Sequence, residues 1–254
     1  MSPLSKFGRR RARLVLLACA TLMFSLTGLQ AEVVDEDTAD FGFLEEIPEG
    51  RGFYSVGPLT PPVGQSSAHF TIDDVGREIV GTVRFNGTRF DAITSLSYAT
   101  FRAFPETGSL ALSLQMNVDY DLTDADVAWQ GRLVYEPTNA GLTVLGKTWQ
   151  TWDTLAGNWW ASGAPGNTQC PQNAPCTWSE VLAAFPDAGI HVDLGALLIK
   201  AGGPWTGGFW GATDDLRIGI DGVVTDFDFE TNSLLFADGF ESGDTTGWTN
   251  TIQQ

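Results

Sequence analysis

Apolar and polar residues alternate along much of this chain. From Ser109 to Asp121, Leu110, Leu112, Leu114, Met116, Val118 and Tyr120 hold one parity. Ser109, Ala111, Ser113, Gln115, Asn117, Asp119 and Asp121 hold the other. Successive side chains of a strand point to opposite faces, so the run predicts a strand with one face in the core and one in water. Val127, Trp129, Leu133 and Tyr135 continue the pattern inward, with Gln130, Arg132 and Glu136 facing out. Leu216, Ile218 and Ile220 lead to Asp221-Gly222, after which Val223, Phe227 and Phe229 alternate with Asp226, Asp228 and Glu230. Asp-Gly between alternating runs predicts a tight hairpin, because both turn positions need positive φ. Asn86-Gly87, between Val83-Arg84-Phe85 and Thr88-Arg89-Phe90, predicts a second.

One helix is expected. Thr177 and Glu180 have the spacing of a capping box, Val181, Leu182 and Phe185 follow, and Pro186 ends the segment. No helical pattern alternates with the strands, which excludes a parallel α/β sheet. The expected fold is all-β: an antiparallel sandwich of jelly-roll type with one short helix and a long Trp-rich loop.

The ends divide the chain. Lys6, Arg9, Arg10, Arg11 and Arg13 precede an apolar run, Leu14 to Leu29, and then Gln30-Ala31. Residues 1–31 are expected to be a secretory signal peptide cleaved near Ala31, which sends the chain to the periplasm or outside the cell. Residues 32–62, with eight acids before Gly50, are expected to form an acidic, disordered leader. A β-sandwich domain is expected over 63–231 and a C-terminal tail over 232–254. Past Ala31 the chain holds 9 basic and 31 acidic residues. That surplus disfavours nucleic acid and anionic membrane, whose phosphates it repels. Oligomeric state is not legible.

Candidate chemistry lies in a few clusters. Cys170 and Cys176, six residues apart around Pro171 and Pro175, are expected to form a disulfide in an oxidising compartment. Between Trp149 and Trp178 stand five of the nine tryptophans and no basic residue. Trp159 and Trp160 are neighbours, so an extended chain sends them to opposite faces. The run is either a plug in the core or an aromatic platform for sugar rings. Trp152, Trp159, Trp160, Trp205 and Trp210 are the candidate ligand-binding residues, the last two in GGPWTGGFWG.

Carboxylates are the hard ligands calcium needs. Asp73-Asp74 opens an early segment and Asp214-Asp215 a late one, and adjacent first and last strands would bring these four together around a cation, calcium being the candidate cofactor. Asp119, Asp121, Asp124 and Asp126 alternate through a turn but miss the EF-hand spacing, so a solvated acidic turn is expected there. No catalytic residue is assigned. His69 and His191 are the two histidines, and no G-x-S-x-G or H-E-x-x-H motif is present.

The blocks VDYDLTDADVAWQGRLVYEP, TWQTWDTLAGNWWASGAPGN, CPQNAPCTWSEVLAAFP and LLIKAGGPWTGGFWGATDDLRIG together resemble a group of uncharacterised secreted bacterial proteins. DDLRIG followed by DFDFE is similar to the last strands of lectin-like and carbohydrate-binding jelly rolls. FADGFESGDTTGW resembles a short DGFESGD-type signature at the ends of, or between, domains of secreted bacterial proteins. Fold likeness does not give function, and it is the density of tryptophans on Gly-rich and Pro-rich loops that makes an extracellular glycan the expected partner. The function expected is therefore a secreted, non-enzymatic binding module for glycans. The alternatives are a structural or cell-surface protein without ligand, and a glycosidase or polysaccharide lyase.

Overall fold

The computed structural model describes residues 31–44, 51–73, 76–203, 205 and 207–232; the expected signal segment up to Gln30 and the tail after Asn232 lie outside them. The acidic segment expected to stand apart as a disordered leader is instead built into the domain. Its strands are β1 (Glu32–Val34), β2 (Phe41–Phe43) and β3 (Gly52–Val56). Val34, Phe41 and Tyr54 are buried. Phe41 meets Phe227 and Phe229 edge-on, with centroids 5.0 and 5.2 Å away. Two acids of the segment, Glu32 and Asp40, pair with Arg84 at 2.7 and 2.8 Å. A few apolar residues at the right spacing thus outweigh a composition that reads as disorder.

β4 (Ser66–Ile72) and β5 (Arg77–Thr82) follow. Asn86-Gly87 does turn the chain, with Gly87 at φ +78°, but the expected hairpin is not formed. A single 3₁₀ turn, Phe90–Ala92, leads into β6 (Ile93–Phe104), which lies in the other sheet from β5. β7 (Ser113–Asp119) and β8 (Arg132–Tyr135) pair antiparallel.

The stretch expected to be a long Trp-rich loop is two strands, β9 (Trp149–Asp153) and β10 (Asn158–Ala161). β9 pairs with β6 and β10 with β8, so residues 154–157 carry the chain from one sheet to the other. After a short helix, α1 (Gly166–Gln169), comes β11 (Cys176–Thr177). Cys170 and Cys176 are disulfide-bonded, with Cα atoms 5.3 Å apart. The predicted helix is α2 (Trp178–Ala184) with its capping box made: Thr177 N–H donates to Glu180 at 2.8 Å, and Glu180 N–H to Thr177 Oγ1 at 3.3 Å. The chain ends its described part with β12 (Gly189–Ile190), β13 (Leu197–Gly202), β14 (Phe209–Ile220) and β15 (Val223–Phe229). The Asp221-Gly222 turn has both φ values positive, +51° and +82°, as its hairpin requires.

The strands form a sandwich. One sheet of seven strands contains β1, β15, β14, β4, β3, β6 and β9. The other, of eight, runs β11-β10-β8-β7-β13-β5-β2, with β12 beside β7. All pairs are antiparallel except β1 with β15. Between the sheets lie Phe70, Phe90, Leu96, Leu112, Leu114 and Phe227. Tyr98 sits among them and donates its hydroxyl to the Leu112 carbonyl at 2.7 Å. β14 runs beside β6 along its length, while its other edge pairs first with β4 and then with β15. At that change of partner the carboxylate of Asp214 accepts N–H groups from Val63 (3.0 Å) and Phe229 (3.3 Å). It satisfies the N–H of Phe229, beyond the end of the β14–β15 pairing, and that of Val63, which precedes β4.

Candidate functional site

The outer face of the eight-stranded sheet carries a groove of about 530 Å³. Strand register makes its floor. Trp160 stands opposite Val134, Val134 opposite Gln115, and Gln115 opposite Leu198, in one row across β10, β8, β7 and β13. Ser113 and Lys200 pair in a flanking row, and Asn117 and Arg132 in another. Ser113, Gln115 and Asn117 are the outward parity of the strand read first in the sequence, yet they too are buried. β7 is flanked on both edges, and long side chains of its neighbours arch over it. Arg132 reaches across to donate to Asn117 Oδ1 (3.0 Å) and Gln115 Oε1 (3.3 Å).

Tryptophans 129, 160 and 205 line the groove. Trp160 is half-buried, and its indole N–H donates to Glu136 at 3.1 Å. Trp205 is also half-buried and rests on Phe209, centroids 4.9 Å apart. Trp129 was expected to face the core. It is instead half-exposed, with the Arg132 guanidinium 5.7 Å from its ring centre. Gly131 explains the change. It holds φ +106°, and a Cβ there would come within 2.7 Å of Gly163 backbone. The parity counted from Leu133 is broken at Gly131 and does not reach Trp129.

The five candidate tryptophans therefore separate. Trp152 and Trp159 are core residues, 4% and 0% exposed, and not binding residues. Trp152 donates to Thr100 Oγ1 at 2.8 Å, and Trp159 to the Thr154 carbonyl at 2.9 Å. Trp159 packs on Tyr135 and Trp178, at 5.6 and 5.5 Å. Trp160 and Trp205 reach the groove. Trp210 is half-exposed on β14, in the opposite sheet, and takes no part in it.

The electrostatics of the groove are unlike those of the rest of the chain. Arg77, Arg132 and Lys200 line it with a single carboxylate, Glu136. Burial, then the positive charges of Arg132 and Arg77, pushes the Lys200 ammonium below its usual range, with Glu136 acting the other way. Burial and the charge of Arg77 likewise lower Arg132. A second cavity of about 530 Å³, beside the 35–44 and 52–54 segments, has no tryptophan and no basic residue in its lining.

Among the described residues, Asp73, Asp214 and Asp215 are not brought together as the expected four-aspartate metal site requires. Asp74 lies outside the described residues. Asp73 follows the end of β4 and pairs with Arg51. Asp214 lies inside β14, whose register sets Phe209 against Ile72 and Thr213 against Ala68. The two positions are thus about six residues apart along the strands, roughly 20 Å. Antiparallel pairing separates what the first-and-last-strand argument brought together. Asp215 pairs with Arg217 at 2.8 Å. No cluster of three or more His, Cys, Asp or Glu among the described residues is arranged to hold a metal ion. Burial above all raises Asp214 to about 7 and Asp228 to about 6.

The acidic turn after β7 is built of side chain–backbone bonds. Asp121, Thr123, Asp126 and Ala128 N–H groups donate to the aspartate two positions before each, at 2.7 to 3.0 Å. His191 is buried, and its Nδ1 accepts from Asp193 and Leu194 N–H at 3.1 and 3.0 Å. His69 is buried against Phe53 and the Gly57 carbonyl. Among the described residues no helix is long and apolar enough to cross a membrane. Comparison with protein-family models, with curated proteins and with solved structures finds no match for this chain.

Proposed function

We propose that this chain is a non-enzymatic carbohydrate-binding module of an oxidising, extracytoplasmic compartment, and that the glycan lies in the groove of the eight-stranded sheet. One observation carries the reading. Tryptophans 129, 160 and 205 line one groove together with Ser113, Gln115, Glu136, Ser162 and Gln172. A sugar ring has apolar CH faces and a polar edge, and this lining offers indoles for the first and donors and acceptors for the second. Ser113 and Gln115 stand on β7, Glu136 and Ser162 directly follow β8 and β10, and Gln172 lies in the loop that the disulfide closes. The disulfide is consistent with the compartment. Glycoside hydrolysis needs two carboxylates flanking the bond, and the groove lining holds one. That favours binding over cleavage.

Titration of oligosaccharides of varied composition against tryptophan fluorescence tests the reading. Saturable quenching or enhancement is expected. Trp160→Ala or Trp129→Ala should weaken binding at least about tenfold, and Trp210→Ala, on the other sheet, should leave it unchanged. Absence of saturable binding across the panel, or equal loss in Trp210→Ala, overturns the proposal.

A further inference from the structure

We infer that the saccharide this groove takes is acidic, bearing carboxylate or sulfate groups held by Arg132 and Lys200. The inference rests on the carbohydrate reading and adds the charge of the ligand to it.

The argument begins with scarcity. Past Ala31 the sequence has nine basic residues against 31 acidic ones. Three of the nine, Arg77, Arg132 and Lys200, line the same groove although they stand far apart in sequence. Outside the groove, five of the six other cations are neutralised. Arg51, Arg84, Arg89, Lys147 and Arg217 each pair with a carboxylate. Arg102 is turned inward onto the carbonyls of Gly108, Leu110 and Val144. In the groove, Lys200 Nζ makes no hydrogen bond or ion pair among the described residues, and Arg132 bonds only neutral amide oxygens, through Nε and Nη1. Asn117 and Gln115 therefore orient the guanidinium without neutralising it.

The one carboxylate present is already engaged. Glu136 Oε2 accepts from Trp160 Nε1 (3.1 Å) and Asn139 Nδ2 (2.7 Å). Local charge in the groove is net positive on a chain that is strongly negative. Partly desolvated cations that repel one another raise the free energy of the empty site, as the lowered Lys200 and Arg132 values reflect. An anion in the groove reverses that term. A guanidinium matches a carboxylate or sulfate edge-on with two parallel bonds, and an ammonium supplies a point charge beside it. The tryptophan walls would hold the ring to which the acidic group is attached. A long polyphosphate chain gains little, because the acidic surface beyond the groove repels it.

The test is calorimetric titration of the wild type with length-matched probes: a hexuronate oligosaccharide, its methyl-esterified form, a sulfated oligosaccharide and a neutral gluco-oligosaccharide. At least one acidic probe is expected to bind roughly tenfold or more tightly than its neutral counterpart, with affinity falling as salt is added. Which acidic probe binds separates carboxylate from sulfate as the source of charge. Lys200→Gln and Arg132→Gln should each reduce acidic binding about tenfold and so narrow or abolish the preference for the acidic over the neutral probe. Lys200→Gln should also keep or raise the melting temperature, since it removes a repelled charge; a purely structural lysine would lower it. Neutral probes binding as well as acidic ones would overturn the acidic inference and leave the carbohydrate reading standing. If none of the saccharides binds, both readings fall.

Discussion

Trp159 and Trp160 are consecutive, identical and in one strand, so replacing each with alanine isolates the effect of the face. Trp159 is fully buried between Tyr135 and Trp178. Its indole covers about 150–250 Å², worth roughly 4–6 kcal/mol at 25 cal/mol per Å², an upper bound set by an extended unfolded chain. Measured truncations of buried tryptophan give about 3–5 kcal/mol. The lost N–H bond adds little, because the Thr154 carbonyl keeps a second donor in Gly157 N–H at 3.2 Å. In a domain of this size about 3–5 kcal/mol lowers the melting temperature by on the order of 10 °C. Trp160 keeps part of its indole in water and loses one hydrogen bond to Glu136, so Trp160→Ala is expected to cost less, about 1–3 kcal/mol. Differential scanning calorimetry on both variants measures this without relying on tryptophan emission. Equal losses, or a loss below about 1 kcal/mol for Trp159→Ala, would refute the assignment of the two faces.

Three other outcomes are expected. Asp214 titrates near 7 when folded, against 3.8 when unfolded. Its protonated form therefore stabilises the fold at low pH, and that contribution disappears as pH rises through 7. Between pH 5 and pH 8 the loss from this group is roughly 2–3 kcal/mol. Urea unfolding at both values, with chelator present, should show the fall, and Asp214→Asn should flatten it; a wild type equally stable at pH 8 contradicts the burial argument. Phe41→Ala removes a ring between Phe227 and Phe229 and should cost about 3–5 kcal/mol by thermal melt, whereas a leader outside the domain would lose nothing. Replacing Cys170 and Cys176 together with serine opens a loop of separation six and should cost about 2 kcal/mol in urea unfolding.

Parts of this structure are legible because they depend on neighbours in sequence. The capping box at Thr177 and Glu180, the Asp221-Gly222 hairpin and the buried parity of Leu112 to Val118 are local matters of spacing and φ. Other expectations failed where a distant partner decides. Asn86-Gly87 turns the chain, but whether its flanks pair depends on which sheet receives the next strand. The acidity of residues 32–40 reads as disorder until Arg84 is set beside Glu32 and Asp40. Asp73 and Asp214 open polar segments alike, and only register shows them at different levels of the sheet.

The candidate site divides the same way. Trp160 and Trp205 are visible as unusual residues, and adjacency alone says that Trp159 and Trp160 face apart. Which of the two faces the core is not a property of the pair, because parity has no absolute origin within a strand. Pairing with Tyr135 and Val134 of β8 supplies that origin. Trp129 was lost through one glycine that breaks the count. Arg77, Arg132 and Lys200 give no local signal, for they stand on three strands more than fifty residues apart in sequence. The sequence by itself determined an all-β chain, its one capped helix, its disulfide and its hairpin, since local sterics and alternation act over a few residues. Only the tertiary structure decided which tryptophans are core, and that three scattered cations share one groove, since strand order and register join residues that the chain keeps apart.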